Sequence, residues 1–377
     1  MTQVLLVAAA VEAGSNIANA VNTIKMAEGF SKTGFDVTIV CRASNTGPRP
    51  ESELTELYGI KNRLNWVQLP KKRFGRVLNA HGHFAAQLIP SLTRLKPDLV
   101  FSRSYIAPYM TAKMSIPTIA ESHAHPDNTT RQFLKFIRGT GHNKFLRLVT
   151  ISKILAKEYA ELGVPEDKLI VLPDAVDTEL FARKSNTEDS PYSGPGPHIV
   201  YTGHLYDYKG IPTVLETANL CPEYQFHFVG GSEEDIGRHR NTMRRRGLHN
   251  VHFHGSKPHA AIPKFARNAD ILLLPPSAQH PSARWTSPVK LGEYLASGVP
   301  VVASRIPALE DWLSDETCWF FKPDNATDLR RAIVDTLSDK SAVVRIANGL
   351  SLAKDWTYEN RAIKVLEGLP LPAANIV

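Results

Sequence analysis

Residues 286–302 read Thr286-Ser-Pro-Val-Lys-Leu-Gly-Glu-Tyr-Leu-Ala-Ser-Gly-Val-Pro-Val-Val302. Ser287 suits an N-cap and Pro288 a first helical position. Gly298-Val-Pro300 then stops the helix, and Val301–Ala303 reads as a short apolar strand. The unit is helix, tight turn, buried strand. Trp319–Phe321 follows as another strand, and Ile199–Thr202, Phe226–Val229, Val251–His254 and Ile271–Leu274 precede it, with helical patterns between. Runs this short are strands, not buried helices, and strand–helix alternation makes a parallel sheet covered on both faces.

Further upstream the texture breaks. Arg183 to Pro197 is polar and rich in Pro and Gly, as a linker would be. Before it the alternation returns, with strands at Val4–Ala9, Asp36–Val40, Trp66–Leu69, Asp98–Ser102, Thr118–Glu121, Leu148–Ile151 and Ile170–Leu172. Ala18–Lys32 and Phe84–Arg94 read as helices between them. The expected organisation is α/β: two doubly wound, Rossmann-like domains, 1–183 and 198–355, joined by a linker 184–197. A length of 377 residues suits two domains. Ligands of open parallel sheets bind beyond the carboxyl ends of the strands. The functional residues should therefore lie in loops that follow strands, lining a cleft between the domains.

Composition narrows the class. No apolar run approaches the ~20 residues needed to cross a bilayer. Val4–Val11 lacks a basic leader and meets Glu12 at once, so it reads as a buried first strand, not a signal peptide. Cys41, Cys221 and Cys318 form neither a disulfide framework nor a zinc pattern, which suits reduced thiols in the cytoplasm. The net charge is +7. Residues 1–183 hold 23 Lys/Arg against 16 Asp/Glu, and the remainder holds 21 against 21, so the excess lies in the first half. That excess suits an anionic membrane surface or an acidic ligand. Nucleic acid is not expected, because no recognition module or aromatic-interleaved basic strand is present. Arg131-Gln-Phe-Leu-Lys-Phe-Ile-Arg138 and the cluster Lys71, Lys72, Arg73 and Arg76 are where peripheral membrane contact is expected.

Four stretches carry candidate chemistry. At Ser287–Glu293 the first-turn N–H groups of Val289 and Lys290 point toward any anion at the helix start. Lys290 adds charge, and the Glu293 carboxylate can accept from a ribose diol. Gly203-His-Leu-Tyr-Asp-Tyr-Lys-Gly210 places Lys209 in a strand-to-helix loop, where an ammonium can neutralise a leaving phosphate. Gly14-Ser15-Asn16 forms a short polar loop after the first strand, and Glu121 with His123 sits at the end of another. No Walker loop, G-x-S-x-G elbow, H-E-x-x-H or Asp-x-Asp pair occurs, so nothing here calls for a metal or other cofactor.

Together these residues resemble the retaining GT-B glycosyltransferases of the large family-four type. The resemblance runs through Ala18–Val40, Leu148–Lys153, Val171–Asp177 with Phe181, Gly203–Gly210, Asp270–Pro275 and Ser287–Val302. It ends at Trp356 and Arg361, within a tail, 356–377, that crosses back onto the first domain. It implies a donor of nucleotide-sugar type, UDP- or GDP-linked. Lys209 would contact the diphosphate, with Gly203, His204, Ser287, Val289, Lys290 and Leu291 around it and Glu293 on the ribose. His123 matches the first-domain histidine near the reacting carbon. Gly14, Ser15, Asn16, Arg103, Glu121 and Trp285 fall on the acceptor side or in the cleft. Two positions depart from the family. Trp285 stands where the first Glu of E-x7-E is usual, and His204 where an Arg often joins the lysine. A branch of the family carries Ser-Pro-x-Lys here, as this chain does. The rival functions are a GT-B epimerase or phosphorylase, and a non-catalytic sugar-nucleotide-binding protein.

Overall fold

The computed structural model describes residues 4–71, 80–126, 131–182 and 189–371, without the side chains of residues 80, 81 and 131–133. Each apolar run named above becomes a strand. In the first half these are β1 (Val4–Glu12), β2 (Asp36–Arg42), β3 (Asn65–Leu69), β4 (Leu99–Ser102), β5 (Thr118–Ser122), β6 (Phe145–Thr150) and β7 (Leu169–Val171). In the second they are β8 (His198–Thr202), β9 (Gln225–Val229), β10 (Val251–Gly255), β11 (Ile271–Leu274), β12 (Val301–Ser304) and β13 (Trp319–Phe321). Both sheets are parallel, ordered β3-β2-β1-β4-β5-β6-β7 and β10-β9-β8-β11-β12-β13. Each starts at its centre, winds to one edge, then returns to the other side. The order reverses between β1 and β4 and again between β8 and β11. Ligand crevices in such sheets open at these switch points.

The chain divides into two compact units, Met1–Ala175 with Thr357–Val377, and Val176–Trp356. This differs from the boundary expected at Arg183. Burial explains the shift: Phe181 is fully buried in the second unit's core, and Tyr192 packs there with its hydroxyl donating to Phe265 O at 2.6 Å. The described part of the polar stretch thus belongs to the second unit. In the first unit, the helix Ala18–Lys32 buries Ala20, Ile24, Ala27 and Phe30 against the sheet. The returning helix Tyr358–Leu366 crosses it closely. A Cβ on Gly29 would stand 2.4 Å from Tyr358 O, so only glycine permits the contact.

A polar seam runs across the second sheet. His198 Nδ1 meets His227 Nε2 at 3.0 Å, and His227 Nδ1 meets His254 Nε2 at 3.0 Å. Tyr192 covers His227 with ring centroids 4.3 Å apart. Burial, and then the neighbouring imidazoles, push His227 down to about 3 and His254 down to about 4.

In the basic helix Arg131–Thr140 one of the two aromatic side chains turns inward. Phe136 is buried among Tyr105, Phe145 and Tyr159, leaving Leu134, Lys135 and Arg138 exposed. Lys72, Arg73 and Arg76, and the side chains of Arg131 and Phe133, lie outside the described residues. Among the described residues no helix is long and apolar enough to cross a membrane.

Candidate functional site

In the second unit the loops after β8 and β11 carry the expected residues. Gly203 leaves β8 in the left-handed region, and Asp207–Lys209 makes one 3-10 turn. Gly210 (φ 82°) then closes that turn and starts the helix Ile211–Leu220. Ser277 N, from the loop after β11, donates to Tyr208 O at 3.0 Å, so the two loops are pinned together. The Tyr208 ring stacks on His280 at 4.2 Å, and Lys209 Nζ stands 5.1 Å from the Tyr208 centroid. Lys209 has no carboxylate partner among the described residues, and burial lowers its pKa. A partly desolvated ammonium without a counter-ion is a receptor for anionic oxygen. His204 is exposed and stacks on Tyr206 at 5.1 Å.

The helix after β11 spans Val289–Ser297. It begins one residue later than its sequence suggests. Pro288 is extended (ψ 124°) and is itself the N-cap, a residue with no side-chain acceptor to offer the first turn. Val289 and Lys290 therefore lie in a first turn that its N-cap residue does not cap, and a helix start is receptive to an anion. Leu291 is different: its side chain is buried in the core, and its N–H donates to Pro288 O at 2.8 Å. Ser287 is also buried, while Trp285 ends the turn Pro281–Arg284 and is half-buried.

Glu293 is 2% exposed, yet ionised. Burial would raise its pKa, but Lys290 Nζ at 2.8 Å and His259 Nε2 at 3.0 Å lower it below the usual range. The lysine expected on a phosphate is thus here paired with the carboxylate expected on the ribose. His259 follows β10 in a 3-10 turn, His259–Ala261. Sequence reasoning passed over it, although its place in a loop after a strand was the signal available.

In the first unit Glu121, His123 and Arg103 do come together. Glu121 is the penultimate residue of β5, and burial alone would raise its pKa. Arg361 Nη1 at 2.5 Å, His123 Nε2 at 2.6 Å and Arg103 Nε at 3.3 Å instead hold it well below the carboxylate range. His123 Nδ1 is 3.6 Å from Asp174 Oδ1, which also accepts from Asn22 Nδ2 at 2.8 Å. The ring is thus fixed between two carboxylates. Arg361 also donates through Nε to Pro173 O at 2.8 Å, while its Nη2 is buried without a partner among the described residues. Asn22 and the pairing role of Asp174 were not read from the sequence. Among the described residues Gly14, Ser15 and Asn16 make no hydrogen bond to this cluster. The Arg49 side chain covers Gly14, Tyr58 Oη donates to Ser15 O at 2.8 Å, and Asn16 is exposed.

Comparison with known proteins places this architecture. The family model described as Glycosyltransferase Family 4 matches residues 20–180, and that described as Glycosyl transferases group 1 matches residues 196–339. The chain belongs to the family-4-type GT-B glycosyltransferases. Two curated relatives of this type are the amylovoran biosynthesis glycosyltransferase AmsK of Erwinia amylovora and the putative colanic acid biosynthesis glycosyltransferase WcaL of Escherichia coli K12. AmsK is 24% identical over 204 residues, 52% of this chain and 48% of the relative. WcaL is 25% identical over 198 residues, 49% of this chain and 46% of the relative. The chain therefore spans about half the length of the curated relatives it matches. Solved GT-B structures match it nearly end to end. Anabaena Alr3699/HepE in complex with UDP has a TM-score of 0.72 at 15% identity, covering 97% of this chain and 98% of that one. Sucrose-phosphate synthase from Thermosynechococcus elongatus has 0.76 at 15% identity, covering 97% of each. At such identity the match establishes the GT-B fold.

Proposed function

We propose that the chain is a retaining glycosyltransferase that moves a sugar from a nucleotide-diphosphate donor to a hydroxyl acceptor without a metal ion. The observation that carries this is the equipment of the β8/β11 switch point. A partly buried ammonium at Lys209, without a carboxylate partner among the described residues, and a helix start at Val289 whose N-cap is a proline are both suited to a diphosphate, and Glu293 is suited to a ribose. The related fold that holds UDP, and in another complex UDP-glucose, makes a UDP-sugar the first donor to try.

The chemistry needs charge stabilisation more than proton transfer. As the bond between the sugar's anomeric carbon and the phosphate oxygen breaks, both of its electrons stay on the leaving diphosphate. Lys209 and the helix start stabilise that charge, and each such contact is worth about 3 kcal/mol. The acceptor hydroxyl forms the new bond from the same face and gives up its proton to the departing diphosphate. His123 is tethered by Glu121 and faces Asp174, which suits it to orient the sugar and not to serve as the base.

The test is a panel of UDP- and GDP-linked sugars, read by nucleoside diphosphate release, with saccharide acceptors added and withdrawn. Acceptor-dependent release that persists in chelator supports the proposal. Interconversion of the nucleotide sugars would identify an epimerase, and tight donor binding without turnover a binding protein. Full, metal-reversible loss in chelator would overturn the metal-free part.

A further inference from the structure

Glu293 is held from two sides, and only one follows from helix geometry. Lys290 lies three residues earlier on the same helix and reaches Oε2 at 2.8 Å. His259 comes from a different loop, 34 residues away in sequence, and reaches Oε1 at 3.0 Å. An ionised carboxylate only accepts, so His259 Nε2 donates to it. Its other nitrogen has no partner among the described residues. The His259 side chain is 35% exposed, while that of Glu293 is 3% exposed. The ring lies 5.8 Å from Phe181, tilted by 57°, which sets its orientation from the apolar side. Of this pair, His259 is thus the side chain open to solvent and Glu293 the one withdrawn from it.

We propose that His259 is a positioning residue of the donor site, one that presents the Glu293 carboxylate to the ribose diol of a nucleotide sugar. This rests on the reading of Glu293 as the ribose-binding residue. Each carboxylate oxygen has two lone-pair directions. With Lys290 on one oxygen and His259 on the other, the carboxylate plane is fixed and one direction on each oxygen stays open. Two such acceptors side by side match vicinal hydroxyls. Without the His259 donor, Oε1 is buried with a lone pair unmet, and the group turns toward Lys290 or a water. The bond is then made at a worse angle, or not at all.

The experiment measures UDP-glucose and GDP-mannose binding by calorimetry, with turnover at saturating donor and thermal midpoints alongside. The expected result for His259→Ala is a dissociation constant about 10-fold higher with kcat within about twofold, the scale of one charge-assisted hydrogen bond. His259→Gln, which keeps an N–H donor, should return to within about threefold of the wild type. Binding by His259→Ala equal to the wild type overturns the proposal. So does equal weakening in Ala and Gln variants that both melt early, since that marks a packing role. Glu293→Gln separates the two levels. If it binds as the wild type does, or if the wild type binds neither nucleotide sugar, the ribose assignment falls and takes this inference with it. If Glu293→Gln weakens binding and His259→Ala does not, only the inference falls.

Discussion

Replacing Gly210 with alanine tests how the Lys209 turn is held. Gly210 has φ 82° and ψ 13°, a left-handed conformation that costs an L-residue about 1–2 kcal/mol. A Cβ there would stand 1.7 Å from Pro275 O, 2.7 Å from Pro275 C and 3.1 Å from Pro275 Cβ. Ordinary carbon contacts lie at about 3.5–4.0 Å, so one loop must move by more than an ångström. Proline has little freedom to yield. The movement breaks the Ser277–Tyr208 hydrogen bond, worth about 1 kcal/mol, and parts Tyr208 from His280. The expected total for Gly210→Ala is about 3–5 kcal/mol, a size reserved for steric failures. Gly247→Ala is the control: φ is 64° in the same unit, but nothing lies within 4 Å of an added Cβ. It should cost only the conformational ~1–2 kcal/mol. Urea denaturation of both variants gives the difference, and UDP-glucose calorimetry on the folded proteins shows whether Lys209 has moved. Equal stability loss and equal binding in the two variants would refute the reasoning.

Three further outcomes are expected. Lys209→Ala should lower turnover by at least ~100-fold with the fold intact; near-normal nucleoside diphosphate release would remove Lys209 from the mechanism. Glu121→Gln strands the buried Arg361 and should cost about 3–5 kcal/mol in denaturation, whereas a loss below ~1 kcal/mol would mean the cluster is better hydrated than its burial implies. His227 and His254 are held neutral, with pKa values pushed to about 3 and about 4, so the unfolded chain binds their protons first as pH falls. Their contribution to stability is complete above pH ~6.5 and is lost progressively below it, by up to about 1.4 kcal/mol per pH unit for each histidine. Urea midpoints that stay flat from pH 7 to about 4.5 would contradict this.

The strands were legible because buried parallel strands read as unbroken apolar runs, and Val301–Ser304 or Ile271–Leu274 could hardly be anything else. The residues at strand ends were legible for the same reason, since the fold rule says where to look. Three things were not. The boundary at Ala175 could not be read, because burial of Phe181 and Tyr192 decides it and composition does not. The partners of Glu121 and Glu293 come from Arg361 and His259, and pairings across 240 and 34 residues leave no mark in local spacing. The fate of Phe136 turned on tertiary contacts, because a basic helix with an aromatic stripe looks the same whether the stripe faces lipid or core.

The return of Tyr358–Leu366 to the first unit has a consequence for synthesis. The second unit, Val176–Trp356, is one continuous stretch and is complete in sequence before the returning helix is made. The first unit is not. Until residues 357–366 emerge, the groove at Gly29 has no occupant and Glu121 sits among strand ends without its Arg361 counter-ion. A chain truncated after Trp356 would therefore carry every residue of the second unit and a first unit without its closing helix. The half that began first is the last to close.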